Sequence, residues 1–165
     1  MKVGIIGSGG IGGTIGTLWA KAGHEVLFSS RNPEKLSLLV TEAGNNAQAG
    51  TIAEAAAFAD VIFLAVHYCT TDDAIASAGS LDSKVIIDAT NPYIRADDGQ
   101  IQRVPNVSSG LELAQKVPHA KVVKAYNTLP TATFANEHHR ADPYALFYCG
   151  DDVSAKAIAA QLNYR

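Results

Sequence analysis

VGIIGSGGIG, Val3 to Gly12, joins an apolar run, Val3 to Ile6, to the glycine motif GSGGIG and leads straight into a helix-like segment. The order strand, glycine turn, helix is what a dinucleotide fold requires. Gly7 permits a tight turn out of the strand, Gly9 lets main chain approach a pyrophosphate, and Gly12 allows the helix to pack close to the strand. Gly7, Ser8, Gly9, Gly10, Ile11 and Gly12 together are the expected cradle, since unpaired N–H groups and the positive end of the helix dipole favour an anion at that mouth. A G-x-G-x-x-G also arises by chance in loops, so the flanks decide. Ile11, Ile15, Leu18, Trp19 and Ala22 recur at helical spacing, Gly23 supplies a stop, and a second β-like run, Glu25 to Ser30, follows.

The end of that second run selects the dinucleotide. An Asp or Glu there holds both ribose hydroxyls of NAD and repels a 2′-phosphate. The chain reads Phe28, Ser29, Ser30, Arg31, Asn32 instead. Ser30 can donate a hydrogen bond, Arg31 can grip a phosphate with its planar fork, Asn32 lies beside them, and Lys35 adds a second charge. The expected cofactor is therefore NADP. The competing reading leaves Arg31 and Lys35 as solvated residues around a helix start near Asn32 and Pro33.

At 165 residues the chain is one domain's worth, expected as a single NADP-binding unit over 1–165, and its 47% hydrophobic content is enough for a core. A net charge of −3 offers no basic footprint for nucleic acid, and no apolar run approaches bilayer length. Met1 and Lys2 lead directly into a strand, so no secretory signal is expected and the expected location is the cytoplasm. Cys69 and Cys149 lack metal-ligand spacing and are expected as reduced, buried or partly buried thiols. Glu137, His138 and His139 are adjacent, but neighbouring histidines point apart, so a polar loop is expected rather than a metal site.

Further β-branched runs at Gln48 to Thr51, Asp60 to Val66, Lys84 to Ala89, Lys121 to Ala125 and Ala145 to Cys149 are expected strands. Helices are expected at Pro33 to Ala43, Ile52 to Ala59, Asp72 to Ala78, Ser109 to Lys116 and Val153 to Asn163, with Ser109 and Glu112 as a capping box. This alternation predicts an α/β fold of Rossmann type: a doubly wound, mostly parallel sheet with helices on both faces. Tyr93 to Ser108 and Thr128 to Tyr144 are expected to be irregular. Ligands of such sheets gather beyond the carboxyl ends of strands, which singles out Val66 and His67, then Asn91 and Pro92, then Asn127, Thr128 and Leu129, all expected to converge on one cleft. His67 is read as a contact rather than a catalyst. Asn91 and Pro92 serve equally as a wall beside the nicotinamide or as an ordinary turn. Tyr93 and Tyr126 are conceivable proton donors, with packing as the default.

The chain resembles the NADPH-dependent coenzyme F420 reductases, or F420-dependent NADP oxidoreductases. KVGIIGSGGIGGTIG with LWAKAGHEVLFSSRNPEKL, DATNPY, KVVKAYNTLPTATFAN and FYCGDD carry that resemblance over essentially the whole chain. It implies that Ser30, Arg31 and Lys35 hold a 2′-phosphate, and that a deazaflavin ring stacks on the nicotinamide and exchanges hydride with it. Chemistry of that kind resides in the cofactors, and the protein holds two rings in contact and excludes water. No catalytic acid, base or nucleophile is therefore expected. Family members continue past the last helix with a strand and helices that form a dimer, whereas this chain stops at Gln161, Leu162, Asn163, Tyr164, Arg165. A homodimer stays an open expectation.

Three functions remain open at this point. The first is hydride exchange between NADP(H) and a planar ring, F420 or a flavin. The second is reduction of a small carbonyl or imine compound, which needs a proton donor near the acceptor. The third is an NADP-binding module without turnover.

Overall fold

The computed structural model describes residues 1–136 and 144–163, without the side chain of Asn136. The opening run forms β1 (Lys2–Ile6), and α1 (Gly10–Lys21) follows the glycine turn. Next come β2 (Glu25–Ser29), a 3₁₀ turn (Pro33–Leu36), α2 (Ser37–Ala43), β3 (Ala47–Gly50), α3 (Ile52–Phe58) and β4 (Val61–Leu64). A second 3₁₀ turn (Tyr68–Thr70) leads into α4 (Thr71–Ala78) and β5 (Val85–Asp88). The remaining elements are a hairpin of β6 (Tyr93–Arg95) and β7 (Ile101–Arg103), then α5 (Ser109–Lys116), β8 (Lys121–Ala125), α6 (Thr131–Asn136), β9 (Tyr148–Cys149) and α7 (Val153–Asn163).

Seven strands pair in the order β3-β2-β1-β4-β5-β8-β9, all parallel except the antiparallel last pair. This is the α/β, Rossmann-type sheet the sequence predicts. Order reverses between β1 and β4, where a crevice opens at the carboxyl ends of the strands, and the glycine turn leaves β1 at that reversal.

Strand pleat divides the apolar residues into two cores. Val3 and Ile5 of β1, Val61 and Phe63 of β4, and Ile87 of β5 face Ile15, Trp19, Ala155 and Leu162 of α1 and α7. Ile6, Ile62, Leu64 and Ile86 face the opposite way, onto Ala56, Ala74, Ala78 and Leu113 of α3, α4 and α5. Within the first core Trp19, Phe63 and Tyr126 meet edge to face, with centroids 5.0, 5.7 and 5.3 Å apart, contacts worth about 0.5 to 1.5 kcal/mol each beyond their burial. Trp19 Nε1 donates to the Leu162 carbonyl at 2.9 Å and pins α7 to α1.

Several sequence expectations need correction. Tyr93 to Ser108 is not irregular throughout: it contains the β6–β7 hairpin, with Tyr93 opposite Arg103. The residues expected as a helix from Pro33 begin as a 3₁₀ turn with Pro at its first position, and only from Ser37 does the chain take the wider α pitch. Ser108, not Ser109, caps α5 by accepting from the Leu111 N–H, and Glu112 turns away to another partner. The run from Ala145 pairs only at Tyr148–Cys149, and antiparallel. Both cysteines are exposed rather than buried. Thr128 to Tyr144 includes α6, while Glu137, His138 and His139 lie outside the described residues.

Candidate functional site

The first wall of the crevice is made by backbone. Gly7 sits at φ +98°, a conformation glycine adopts without penalty, and turns the chain out of β1. A Cβ on Gly12 would lie 2.0 Å from the Gly7 carbonyl oxygen, so close helix packing forbids a side chain there. The opposite holds at Gly9, where a Cβ would meet nothing within 4 Å. Gly9 is also the N-cap of α1 and offers no capping side chain, and no acid stands in the first turn. Amides at that mouth are left for an external acceptor, with the positive helix end behind them.

A cleft of about 440 Å³ extends from this mouth, lined by Gly7, Ser8, Gly9, Ser29, Ser30, Arg31, Val66 and His67 and, on its far side, by Ile52, Thr70, Asp73, Ala74 and Ser77. The Ser29 hydroxyl donates to the Ile5 carbonyl at 2.7 Å and that of Ser8 to the Ser29 carbonyl at 3.0 Å, which ties the glycine turn to the end of β2. Ser30 Oγ accepts from the Asn32 N–H at 3.1 Å, so the Ser30 proton stays available while the Asn32 amide is consumed. Arg31 is exposed at the rim. Asn32 is not among the residues lining this cleft, and Lys35 lines a neighbouring groove between α1 and α2, together with Thr14, Lys21 and Leu39. The two spaces share Ser8, Gly9 and Leu36.

A second space of about 330 Å³ continues past the glycine turn, between Gly9, Gly10 and Ile11 on one side and Val66, His67, Tyr68, Ala89, Thr90, Asn91 and Tyr93 on the other. The Tyr68 hydroxyl donates to Glu112 Oε2 at 2.6 Å, which couples the turn after β4 to α5, and this bond to a carboxylate raises the phenol's pKa. Asn91 and Asn127 clasp each other: Asn91 Nδ2 donates to the Asn127 carbonyl at 2.9 Å, and Asn127 Nδ2 to Asn91 Oδ1 at 3.3 Å.

Beyond Asn91 opens a third space of about 660 Å³, lined by Pro92, Arg103, Ser109, Lys124, Asn127 and Cys149 among others. At its floor Lys124 Nζ donates to Asp88 Oδ2 at 2.8 Å, Ser109 Oγ at 2.9 Å, Thr90 Oγ1 at 3.3 Å and the Thr90 carbonyl. Burial lowers the Lys124 pKa, with the Asp88 charge opposing that shift.

The residues after β4, β5 and β8 line three contiguous spaces, with Gly9, Ala65, Val66 and His67 common to the first two and Asn91 to the last two. Leu129 leaves this group and lines an apolar cavity of about 190 Å³ with Trp19, Tyr126 and Phe134. Tyr126 is core: it is 3% exposed, its hydroxyl donates to Asn163 Oδ1, and burial raises its pKa. Tyr93 is half exposed at the second space. Sequence reading gave no site role to Tyr68, Asp73, Asp88, Thr90, Ser109 or Lys124, although Ser109 was expected as a helix cap. A usable signal existed for the last, since a lysine inside the strand KVVKA must find a partner when neighbours cover it. Among the described residues no group of three His, Cys, Asp or Glu is placed to hold a metal, and no helix is long and apolar enough to cross a membrane.

A doubly wound sheet with an uncapped, glycine-lined helix mouth at its reversal defines a Rossmann-type nucleotide-binding domain. Residues 2–92 match the family described as NADP oxidoreductase, coenzyme F420-dependent, and the chain belongs to that family of NADP-dependent oxidoreductases. It is 30% identical over 162 residues to the metalloreductase STEAP3 of Rattus norvegicus, covering 98% of this chain but 31% of that protein. Among solved structures it is similar to a candidate F420-dependent NADP-reductase from Arthrobacter sp. FB24, with TM-score 0.88, 27% identity, and coverage of 99% of this chain and 79% of that one. A hypothetical protein from Sinorhizobium meliloti superposes with TM-score 0.85 at 29% identity, covering 98% of this chain and 79% of the other.

Proposed function

We propose that the protein binds NADP(H) along the crevice and exchanges hydride between it and a planar redox ring, coenzyme F420 or a flavin. One observation carries the choice of nucleotide: the end of β2 presents Ser30 and Arg31, not a carboxylate, on the cleft that begins at the open mouth of α1. The fit is supported by the empty volume at Gly9, which a Cβ would occupy, and by first-turn amides that no side chain caps. Gly7 to Gly12 would hold the pyrophosphate, and Ser30 and Arg31 the 2′-phosphate. Lys35 would approach from the adjoining groove, and Asn32, whose N–H donates to Ser30 Oγ, would help to orient Ser30. Val66, His67 and Asn91 would wall the nicotinamide, with Pro92 and Asn127 behind them.

When bound, the nicotinamide supplies hydride chemistry. The chain's own part is to bind, orient and dry the site, and none of its residues is needed as a nucleophile. STEAP3 and the Arthrobacter protein are both reductases by description, which supports oxidoreduction in common without choosing the acceptor. The family description supports F420. Free Cys69 and Cys149 accord with a reducing, cytoplasmic setting.

The test is direct. NADPH mixed with the protein and F420, FMN or FAD in turn is followed at the nicotinamide absorbance band, with binding measured by calorimetry. Turnover with one ring is the expected result. Arg31→Ala should weaken NADPH roughly ten- to a hundredfold and spare NADH, from a charge-assisted contact of about 1.5 to 3 kcal/mol. Equal losses for both nucleotides would remove the NADP assignment, and no uptake by folded protein would remove the function.

A further inference from the structure

Three elements distant in sequence meet at one ammonium. Asp88 ends β5 and is fully buried, Thr90 follows it in the loop, and Ser109 begins α5 and is also buried. Lys124 reaches them from β8, with its side chain 17% exposed and its donors directed at Asp88 Oδ2, Ser109 Oγ and both oxygens of Thr90. Asp88 uses its other oxygen, Oδ1, to accept from the Thr90 N–H at 2.8 Å. Thr90 is thus held at its amide, its carbonyl and its hydroxyl.

The held segment matters because of what lies on either side of it. Thr90 and Asn91 wall the second space, and Asn91, Ser109 and Lys124 wall the third, so this loop stands between the two. Asn91 is then joined to Asn127 at the end of β8 by the reciprocal amide contact. A ring transfer site needs such a partition to be fixed within a fraction of an ångström, because small misplacements of reacting atoms cost rate steeply. A neutral residue at 124 would leave the Asp88 carboxylate buried without its counter-charge, and Thr90 without its tether.

We propose that Lys124 is a positioning residue for hydride transfer: from the third space it anchors the Thr90–Asn91 wall against which the nicotinamide and the acceptor are set. The inference rests on the nucleotide reading above. Its three ammonium hydrogens are committed to Asp88, Thr90 and Ser109, so it orients and does not donate a proton to the acceptor.

The double variant Asp88→Asn/Lys124→Met removes the tether without stranding a buried charge, and Lys124→Arg keeps the charge in a different shape. Hydrogen exchange in nucleotide-free protein is expected to rise at least tenfold across residues 90–93 of the double variant and to stay unchanged in β1 and β2. With NADPH, the calorimetric Kd should stay within about threefold of the parent while the binding-induced rise in nicotinamide fluorescence is lost. With whichever of F420, FMN or FAD the parent protein turns over, kcat should fall at least tenfold at nearly constant KM for NADPH, and Lys124→Arg should recover part of it. Should the double variant not fold, Ser109→Ala is read in the same three ways with smaller, severalfold changes expected. Parental exchange and parental nicotinamide emission in folded variants would overturn the proposal. Failure of the parent protein to take up NADPH would instead overturn the nucleotide reading and, with it, any role in transfer, whereas the exchange measurement would still report whether Lys124 anchors the wall.

Discussion

The two ends of the crevice are built from different materials. At β1 and the mouth of α1 the surfaces are main chain, glycines without side chains and an uncapped helix start, with the Ser30 and Arg31 side chains added only at the end of β2. At β5 and β8 they are side chains, with Asp88, Lys124, Thr90 and Ser109 in one cluster and Asn91 with Asn127 in another. A backbone site suits a pyrophosphate, whose oxygens accept from many N–H groups at once. A side-chain site can vary its shape with the molecule set against it while the sheet below stays the same.

The contrast is broken most severely at the ion pair. Lys124→Met should destabilise the fold by about 3 to 5 kcal/mol in urea titration, because Asp88 stays fully buried beside it. Asp88→Ala should cost less, since Lys124 can turn its ammonium toward the third space. Equal losses would mean that the buried carboxylate is no harder to leave unpaired than the ammonium.

On the backbone side Gly12→Ala should cost about 3 kcal/mol, near the upper end of overpacking effects, because the obstacle is a carbonyl oxygen at 2.0 Å and cannot rotate away. Gly9→Ala gives the reverse signature. With open space around its Cβ, thermal stability should change little while NADPH binding weakens at least about tenfold, a difference of 1.4 kcal/mol or more. A Gly9→Ala protein that binds NADPH normally would show that the pyrophosphate does not lie at the mouth of α1.

The smallest expected effect concerns acid. Asp152 accepts from the Ala155 N–H at 2.8 Å and from Ser154, and lies 3.0 Å from Lys121 Nζ. These bonds hold its carboxyl well below the usual range, the Ser154 hydroxyl first among them. A depressed folded-state pKa contributes stability above the unfolded value, near 3.9, and the contribution fades as pH falls below it. The Tm of the parent protein should therefore drop slightly more between pH 5 and pH 3 than that of Asp152→Asn. A larger drop in the variant would reverse the sign of the argument.

Much of this molecule was legible as a sequence because local rules agree with the global fold. The apolar, β-branched runs and the helical spacing of Ile11, Ile15, Leu18 and Trp19 return as the two cores. The boundaries that moved did so for identifiable reasons. The expected cap at Ser109 shifted to Ser108 because the Ser109 hydroxyl is engaged by Lys124 and the Glu112 carboxylate by Tyr68. The hairpin after Pro92 was missed because it has no buried face to impose an alternating pattern, all six of its paired residues being exposed.

The glycine turn, the helix it opens, the strand after it and the absence of an acid at Ser30 were fixed by the order of residues, because each depends on backbone freedom or on neighbours a few positions away. Which side chains stand opposite one another was decided only when the sheet assembled. Lys124 finds Asp88 because β8 lies beside β5, and Lys35 falls in a groove beside the main cleft because α2 packs against α1. Such meetings join residues tens of positions apart, and no periodicity in the chain encodes them.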